Sequence, residues 1–237
     1  MAKRLSDIDK EIRESNDLFN IFFVENISYS IQKFILNLRR QTDVYLFSGI
    51  IRDYFLFKNN ELFIRDIDLV IKNNVVLDKL LRDTDAKKNS FGGYKFVIDD
   101  ISIDIWTVEK TWGLKYYPSL FPTDLYANLL KTTFFSFSSI LYHFNKNKFI
   151  YDVNFKRFLR DKELRLVLPE NPYPELCIVN TRYYSETRKL KLNKNIISYI
   201  QKHKHISSFE HVQKKHFGKV IYTNNDMQIW IKRQLKL

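Results

Sequence analysis

Apolar positions recur at helical spacing over the first forty residues. Residues 5–24 read as helical. In ISYSIQKFILNLRR (27–40), Ile31, Phe34, Ile35 and Leu38 share one face, with Arg39 and Arg40 closing the last turn. The period then changes. VYLF (44–47) is a short apolar, β-branched and aromatic run, the pattern of a buried strand. Ser48-Gly49 breaks it, IIRDYFLF (50–57) reads as a helix, and KNNE (58–61) as a turn. In LFIRDIDLVIK (62–72), Ile67, Leu69 and Ile71 alternate with Asp66, Asp68 and Val70, which predicts a strand. VVLDKLLRDT (75–84) predicts a helix. SFGGYKFVIDDISIDIWTV (90–108) predicts a hairpin: strand YKFVI, turn Asp99-Asp100, strand ISIDIWTV. From about 121 the period is helical again, with candidates at 122–133, 134–143, 173–184, 193–203, 207–217 and 223–236 and a hairpin at 140–153 between them.

This order predicts an α+β chain. Helices in 1–40 pack on a mixed head at 41–120, and a mostly helical region fills 121–237. There are no internal repeats and no Pro/Gly/Ser linker. Glycine is scarce, and three of the five (Gly49, Gly92 and Gly93) fall in the mixed segment.

Composition adds a sizeable core and removes some classes. Of 237 residues, 45% are hydrophobic, including 20 Phe and 14 Tyr. No apolar run approaches the ~20 residues that span a bilayer, so no membrane span is expected. The opening MAKRLSDIDKEIRESND lacks the apolar stretch of a secretory leader, and a cytoplasmic location is expected. The single cysteine, Cys177, is expected to be a small buried hydrophobe. The net charge of +12 argues for a polyanionic partner, nucleic acid first and an acidic membrane surface second. Lysine and arginine concentrate in residues 145–237, either as a solubilising surface or as a groove for RNA or DNA phosphates. His203, His205, His211 and His216 lie among lysines that would repel a cation, so a solvated basic helix face is expected there.

The candidate chemistry lies in the mixed segment. A strand period of two puts Asp66 and Asp68 on one face, their Cβ atoms ~7 Å apart. Two such carboxylates repel unless a counter-charge sits between them, and hard oxygen ligands select Mg²⁺ or Mn²⁺. Asp104 supplies a third carboxylate amid apolar Ile103, Ile105 and Trp106, a costly place for an unpaired charge. If its strand neighbours 64–70, the three carboxylates converge on a site for two ions ~4 Å apart. Ahead of them a strand ends in Ser48-Gly49 and opens into a helix, which points N–H groups at an anion. Arg52, one turn in, reaches toward phosphate oxygens. Asp53 is expected to be a structural partner, either for Arg52 or for a backbone amide. Arg65 is either a triphosphate or base contact or a salt-bridge neighbour of the aspartates. Trp106 and Trp112 either wall a base pocket or pack the core, and Arg182, Tyr183 and Tyr184 either face a nucleotide or pack a helix pair.

The stretch VYLFSGIIRDYFLFKNNELFIRDIDLVIKN resembles the head domain of the poly(A) polymerase and CCA-adding branch of the DNA polymerase beta-like nucleotidyltransferase superfamily. Ser48-Gly49, Ile51-Arg52-Asp53 and Asp66-Ile67-Asp68 stand where that branch has its Gly-Gly or Gly-Ser pair, its Val-Arg-Asp-Leu-Leu helix and its Asp-Ile-Asp. The resemblance implies a nucleotidyltransferase head with a small mixed sheet flanked by helices and a neck-like helical region behind it. It implies Asp66, Asp68 and Asp104 as catalytic metal ligands for two Mg²⁺ (or Mn²⁺) ions, and Ser48, Gly49, Arg52 and Arg65 as nucleotide contacts. It covers about 44–108. Beyond it the branch's Arg-Asp-Phe-Thr-Ile-Asn-Ala segment has no Arg-Asp counterpart in 132–153. Its Glu-Asp-x-x-Arg element is absent, with Arg182 and Arg188 as substitutes at most. The expected activity is transfer of a nucleoside monophosphate from an NTP to a hydroxyl, with an RNA 3′ end as acceptor. The alternatives are nucleotidylation of a small molecule or protein, and a nucleotide- or RNA-binding module without catalysis.

Overall fold

The computed structural model describes residues 3–47, 49–57, 64, 66–72, 77, 81, 85–89, 92–117 and 128–236. The chain divides into two units. One is Met1–Thr133 with Phe137–Arg160, and the other is Phe134–Ser136 with Asp161–Leu237.

The first unit is built on a seven-stranded mixed sheet, so the chain is α+β. The strands are β1 (Val44–Phe47), β2 (Asp66–Ile71), β3 (Lys87–Lys88), β4 (Tyr94–Ile98), β5 (Ile101–Thr107), β6 (Ile140–His143) and β7 (Lys148–Tyr151). Their order is β3-β4-β5-β2-β1-β6-β7. Only the β2–β5 pair is parallel. The helices of this unit are α1 (Leu5–Glu14), α2 (Asn16–Glu25), α3 (Tyr29–Arg39), α4 (Gly49–Phe57), the short α5 (Trp112–Tyr116) and α6 (Val153–Asp161).

One face of the sheet is apolar and covered by helices. Ile67, Leu69, Ile71, Ile103 and Ile105 lie on it, fully buried. Phe34 of α3 meets Phe96 of β4 edge-on at 5.3 Å. Phe19 of α2 packs on Tyr142 and Phe149 of the β6–β7 hairpin at 4.8 and 5.0 Å. Strand alternation puts Asp66 and Asp68 on the opposite face.

The β4–β5 connection is the two-residue turn read from the sequence. Asp99 and Asp100 both have positive φ (45° and 65°), as a hairpin turn of this kind requires. The Ser28 and Ser30 hydroxyls hydrogen-bond to Asp99 and hold its carboxyl below the usual carboxylate range. Gly93 allows β4 to start against β5: a Cβ there would lie 2.9 Å from the Ile105 carbonyl oxygen and from Trp106 Cβ.

Residues 5–24 are helical as expected, in two helices that meet at Ser15, whose hydroxyl donates to the Glu11 carbonyl at 2.8 Å. The structure departs from the expected elements at three places. The helix predicted over 134–143 is not one, since Ile140–His143 is a strand buried at all four positions. A short apolar run buried on both sides carries no period that separates strand from helix. That hairpin belongs to the head's sheet, on the far side of β1, not to the helical rear region. The helix α6 follows it unforeseen; Asp152 Oδ1 accepts from the Asn154 amide at 2.8 Å and starts it. Most of the helix predicted over 75–84 and the first half of that over 122–133 lie outside the described residues, and the second half ends in a 3-10 turn at Leu130–Thr132.

The second unit is mostly helical. It holds β8 (Glu163–Leu164) paired in parallel with β9 (Lys191–Leu192), and helices α7 (Pro174–Thr187), α8 (Lys194–Lys202), α9 (Phe209–Phe217) and α10 (Asn224–Leu235). Fully buried Gln213 ties it together: its amide donates to the Phe209 and Tyr222 carbonyls and accepts from the Ile221 and Tyr222 amides. Arg182 lies 4.0 Å over the Tyr222 ring, and Tyr183 and Tyr184 pack on Phe217 and Phe135. Cys177 is buried, and burial pushes its thiol well up. No helix among the described residues is long and apolar enough to cross a membrane.

Candidate active site

The parallel pairing of β2 with β5 sets Asp68 directly beside Asp104 and Asp66 beside Ser102. Neighbouring strands run ~4.8 Å apart, so Asp68 and Asp104 share one small patch with Asp66 one pleat away. All three are half-buried. Burial, first, and then the charges on Asp66 and Asp104 push the Asp68 carboxyl up to about 7, while Lys95 and Arg52 pull it the other way. Three carboxylates on one face therefore repel one another at neutral pH.

Two lysines extend this patch. The β4–β5 register places Lys95 directly opposite Asp104, and Lys95 Nζ lies 2.9 Å from Asp104 Oδ2. The β3–β4 register places Lys87 directly opposite Lys95. Lys87, Lys95, Asp104 and Asp68 thus form a row across four strands on one face. Ser102 adds a hydroxyl beside Asp66 that is buried and has no hydrogen-bond partner among the described residues.

On the other side of Asp68 lies the strand-to-helix turn. The β1–β2 register, Leu46 against Leu69, brings Phe47 level with Asp68. β1 ends there, and α4 begins at Gly49. A Cβ at Gly49 would meet no described atom within 4 Å, and its φ is not in the left-handed region. Neither backbone strain nor packing among the described residues calls for glycine. Arg52, one turn into α4, is 7% exposed. Its Nε and Nη2 lie 2.8 and 2.9 Å from the two Asp53 carboxylate oxygens, and its guanidinium sits 4.9 Å over the Phe137 ring. Asp53 is the structural partner expected of it. Ser48 and Arg65, the other two predicted nucleotide contacts, lie outside the described residues.

Among aromatic candidates, Trp106 shares the carboxylate face and lies 5.9 Å from Phe47. It is half-buried, and its Nε1–H donates to Thr111 Oγ1 at 3.0 Å. Trp112 contacts Tyr117 at 6.3 Å.

No protein-family model and no curated protein matches this chain. Solved structures do. A CCA-adding enzyme in complex with CTP is 17% identical, with a TM-score of 0.61 over 92% of this chain and 54% of its own. The Thermotoga maritima CCA-adding enzyme complexed with tRNA is 15% identical, with a TM-score of 0.60 over 92% and 53%. A tRNA nucleotidyltransferase with a primer tRNA and an incoming ATP analogue is 16% identical, with a TM-score of 0.55 over 82% and 58%. The fold is that of the CCA-adding enzymes. This chain spans about half the length of those chains. The CCA-adding fold was expected from residues 44–108, and the likeness extends well beyond that stretch.

On this fold the donor set suits a hard divalent cation: carboxylate oxygens from adjacent strands, with the Ser102 hydroxyl, unpartnered among the described residues, beside them. Among the described residues no group of three or more His, Cys, Asp or Glu side chains is already gathered tightly enough to hold an ion. Asp104 is paired with Lys95 instead. The sequence reading missed Lys95, Lys87 and Ser102. The signal for Lys95 was available, because a two-residue turn at Asp99-Asp100 fixes the register that puts it opposite Asp104.

Proposed function

We propose that this chain transfers a nucleoside monophosphate from an NTP to a hydroxyl, with a tRNA-like RNA 3′ end as the acceptor. What supports this reading most is the side-by-side register of Asp68 and Asp104, with Asp66 on the same face, next to the turn from β1 into α4. The CCA-adding fold adds to it, since structures with that fold are described as complexes with CTP, ATP or tRNA.

Asp66, Asp68 and Asp104 would hold two Mg²⁺ or Mn²⁺ ions. Ions held there would lower the pKa of the attacking hydroxyl and neutralise charge on the leaving pyrophosphate. The chain's own residues bind and orient. N–H groups at the start of α4 donate to triphosphate oxygens, and Gly49 lets those oxygens come close. Ser48 and Arg65 are assigned to the same triphosphate. Arg52 supplies positive charge near Asp68 while Asp53 holds its guanidinium in place. The acceptor's 3′ oxygen bonds to the α-phosphorus, the bond to the pyrophosphate oxygen breaks, and the hydroxyl proton passes to solvent. The lysine- and arginine-rich second unit grips the RNA backbone.

Incubation of the chain with labelled NTPs, Mg²⁺ and total RNA tests this. The wild-type chain labels RNA, and Asp66→Ala/Asp68→Ala folds but does not. Label that persists in the double variant would remove the assignment. Label on a protein or a small molecule instead of RNA would move the acceptor.

A second reading rests on the Lys95–Asp104 ion pair, which already neutralises one of the carboxylates. It is a module that holds a nucleotide without transferring it. Calorimetry with each NTP separates the two: affinity that ignores Mg²⁺ favours the module, and affinity that needs Mg²⁺ favours the enzyme.

A further inference from the structure

The row Lys87–Lys95–Asp104–Asp68 is uneven in charge: two cations at the sheet edge, two anions toward its centre. Lys87 and Lys95 stand directly opposite each other on adjacent strands, and like charges so placed destabilise a strand pair. Both are exposed. Lys95 is offset in part by Asp104, whereas Lys87 has no carboxylate partner among the described residues. Such a pair is stabilised by a bound anion that spans both ammonium groups.

The sheet order says which anion. Asp68 lies between two flanks of one face. The β1 flank carries the turn into α4, which the function proposed above gives to the triphosphate. The β5-β4-β3 flank, on the opposite side, carries Lys95 and then Lys87. A second substrate whose hydroxyl reaches the carboxylates from that flank passes its own backbone over the two lysines. We propose that Lys87 and Lys95 form a docking site for the terminal phosphodiester of the nucleic-acid acceptor. Lys95 is a positioning residue there: Asp104 holds it over the carboxylates, and the acceptor phosphate shares it with Asp104. This rests on the nucleotidyl-transfer reading for the identity of the acceptor but not for the binding of a phosphodiester.

The test is binding, read separately from catalysis. Full-length chain is titrated with a short 5′-fluorescein-labelled single-stranded RNA bearing a free 3′ hydroxyl, without NTP, at several salt concentrations. Lys87→Gln alone, which breaks no ion pair, weakens binding several-fold. Lys87→Gln/Lys95→Gln flattens the plot of log affinity against log salt by about 0.7, the slope of one phosphate contact in a single strand. Lys33→Ala, on a helix over the other face, leaves the slope unchanged. In the incorporation assay the double variant raises KM for RNA and leaves KM for NTP unchanged. An unchanged RNA affinity and slope in a folded double variant would overturn the proposal. So would a raised KM for NTP with KM for RNA intact, which would assign the lysines to the triphosphate. If no acceptor is ever labelled but the slope still flattens, the lysine site stands and the enzymatic reading fails.

Discussion

Lys95 Nζ lies 2.9 Å from Asp104 Oδ2, across the antiparallel β4–β5 pair and one strand from Asp68. The lysine side chain is 58% exposed and the aspartate 24%. An isolated pair so exposed contributes little to stability. Here it balances part of the charge on a patch where three carboxylates meet. A divalent cation arriving at Asp66 and Asp68 would relieve the same repulsion.

Relief of that repulsion is measurable in stability. In EDTA at pH 8, Asp68→Asn removes a half-buried charge that faces Asp66 and Asp104, and it raises Tm by about 3 °C or more. Mg²⁺ raises the wild-type Tm and leaves that of Asp66→Ala/Asp68→Ala unchanged. Differential scanning calorimetry reads both. A wild-type Tm that is indifferent to Mg²⁺ up to millimolar levels would count against an ion on these residues.

The two glycines flanking the site behave oppositely. Gly49 has ordinary backbone geometry and open space at its Cβ among the described residues. Gly49→Ala therefore leaves stability level or raises it by about 0.4–1 kcal/mol, through the unfolded state. It weakens NTP binding about tenfold if a phosphate approaches there. At Gly93 a Cβ would collide with the Ile105 carbonyl and Trp106. Gly93→Ala destabilises by about 1–3 kcal/mol, as overpacking does, and loosens β4 from the strand that carries Asp104. Denaturant melts and NTP titrations of the two variants separate these outcomes.

Arg52 has a structural share in the site. It is buried and doubly hydrogen-bonded to Asp53. Arg52→Ala takes both of these hydrogen bonds from the Asp53 carboxylate and costs about 3–5 kcal/mol. Asp53→Asn costs less and leaves the guanidinium in place. Activity lost in a folded Arg52→Lys chain with unchanged Tm would mark a direct role at the triphosphate. Activity lost only in step with stability would not.

His143 makes acid sensitivity local. It is 2% exposed, stacked on Tyr45 at 4.4 Å, and its Nε2 lies 3.1 Å from Asp43 Oδ1. Burial depresses its pKa below 6.5, and the Asp43 carboxylate opposes that only in part. The folded state favours the neutral ring. Its contribution is complete above pH 6.5 and is lost as pH falls toward the depressed value. Wild-type Tm falls as pH drops below 6.5, and His143→Gln flattens that fall. Equal slopes in both chains would place the acid sensitivity elsewhere.

Much of the site lies within reach of local pattern. The alternation in DIDLVI places Asp66 and Asp68 on one face because strand side chains repeat every two residues. The apolar VYLF run, its break at Ser48-Gly49 and the helix after it are short-range features, as are the Asp99-Asp100 turn and the helices of the second unit. Carboxylates on one strand face, a Ser-Gly break between strand and helix before them and a basic rear region are properties of the residue order alone.

Tertiary structure decided which strands are neighbours. β2 and β5 run parallel, and the chain must travel through β3 and β4 before it can return beside β2. No local period encodes that return, so only the sheet order brings Asp104 to Asp68. The same order set Lys95 and Lys87 in line with the aspartates, left the Ser102 hydroxyl beside Asp66 without a partner among the described residues, and carried the 140–151 hairpin onto β1. Side-chain periodicity fixes a face. Only long-range pairing, whose loop-closure entropy is repaid by burial elsewhere, fixes what stands beside it on that face.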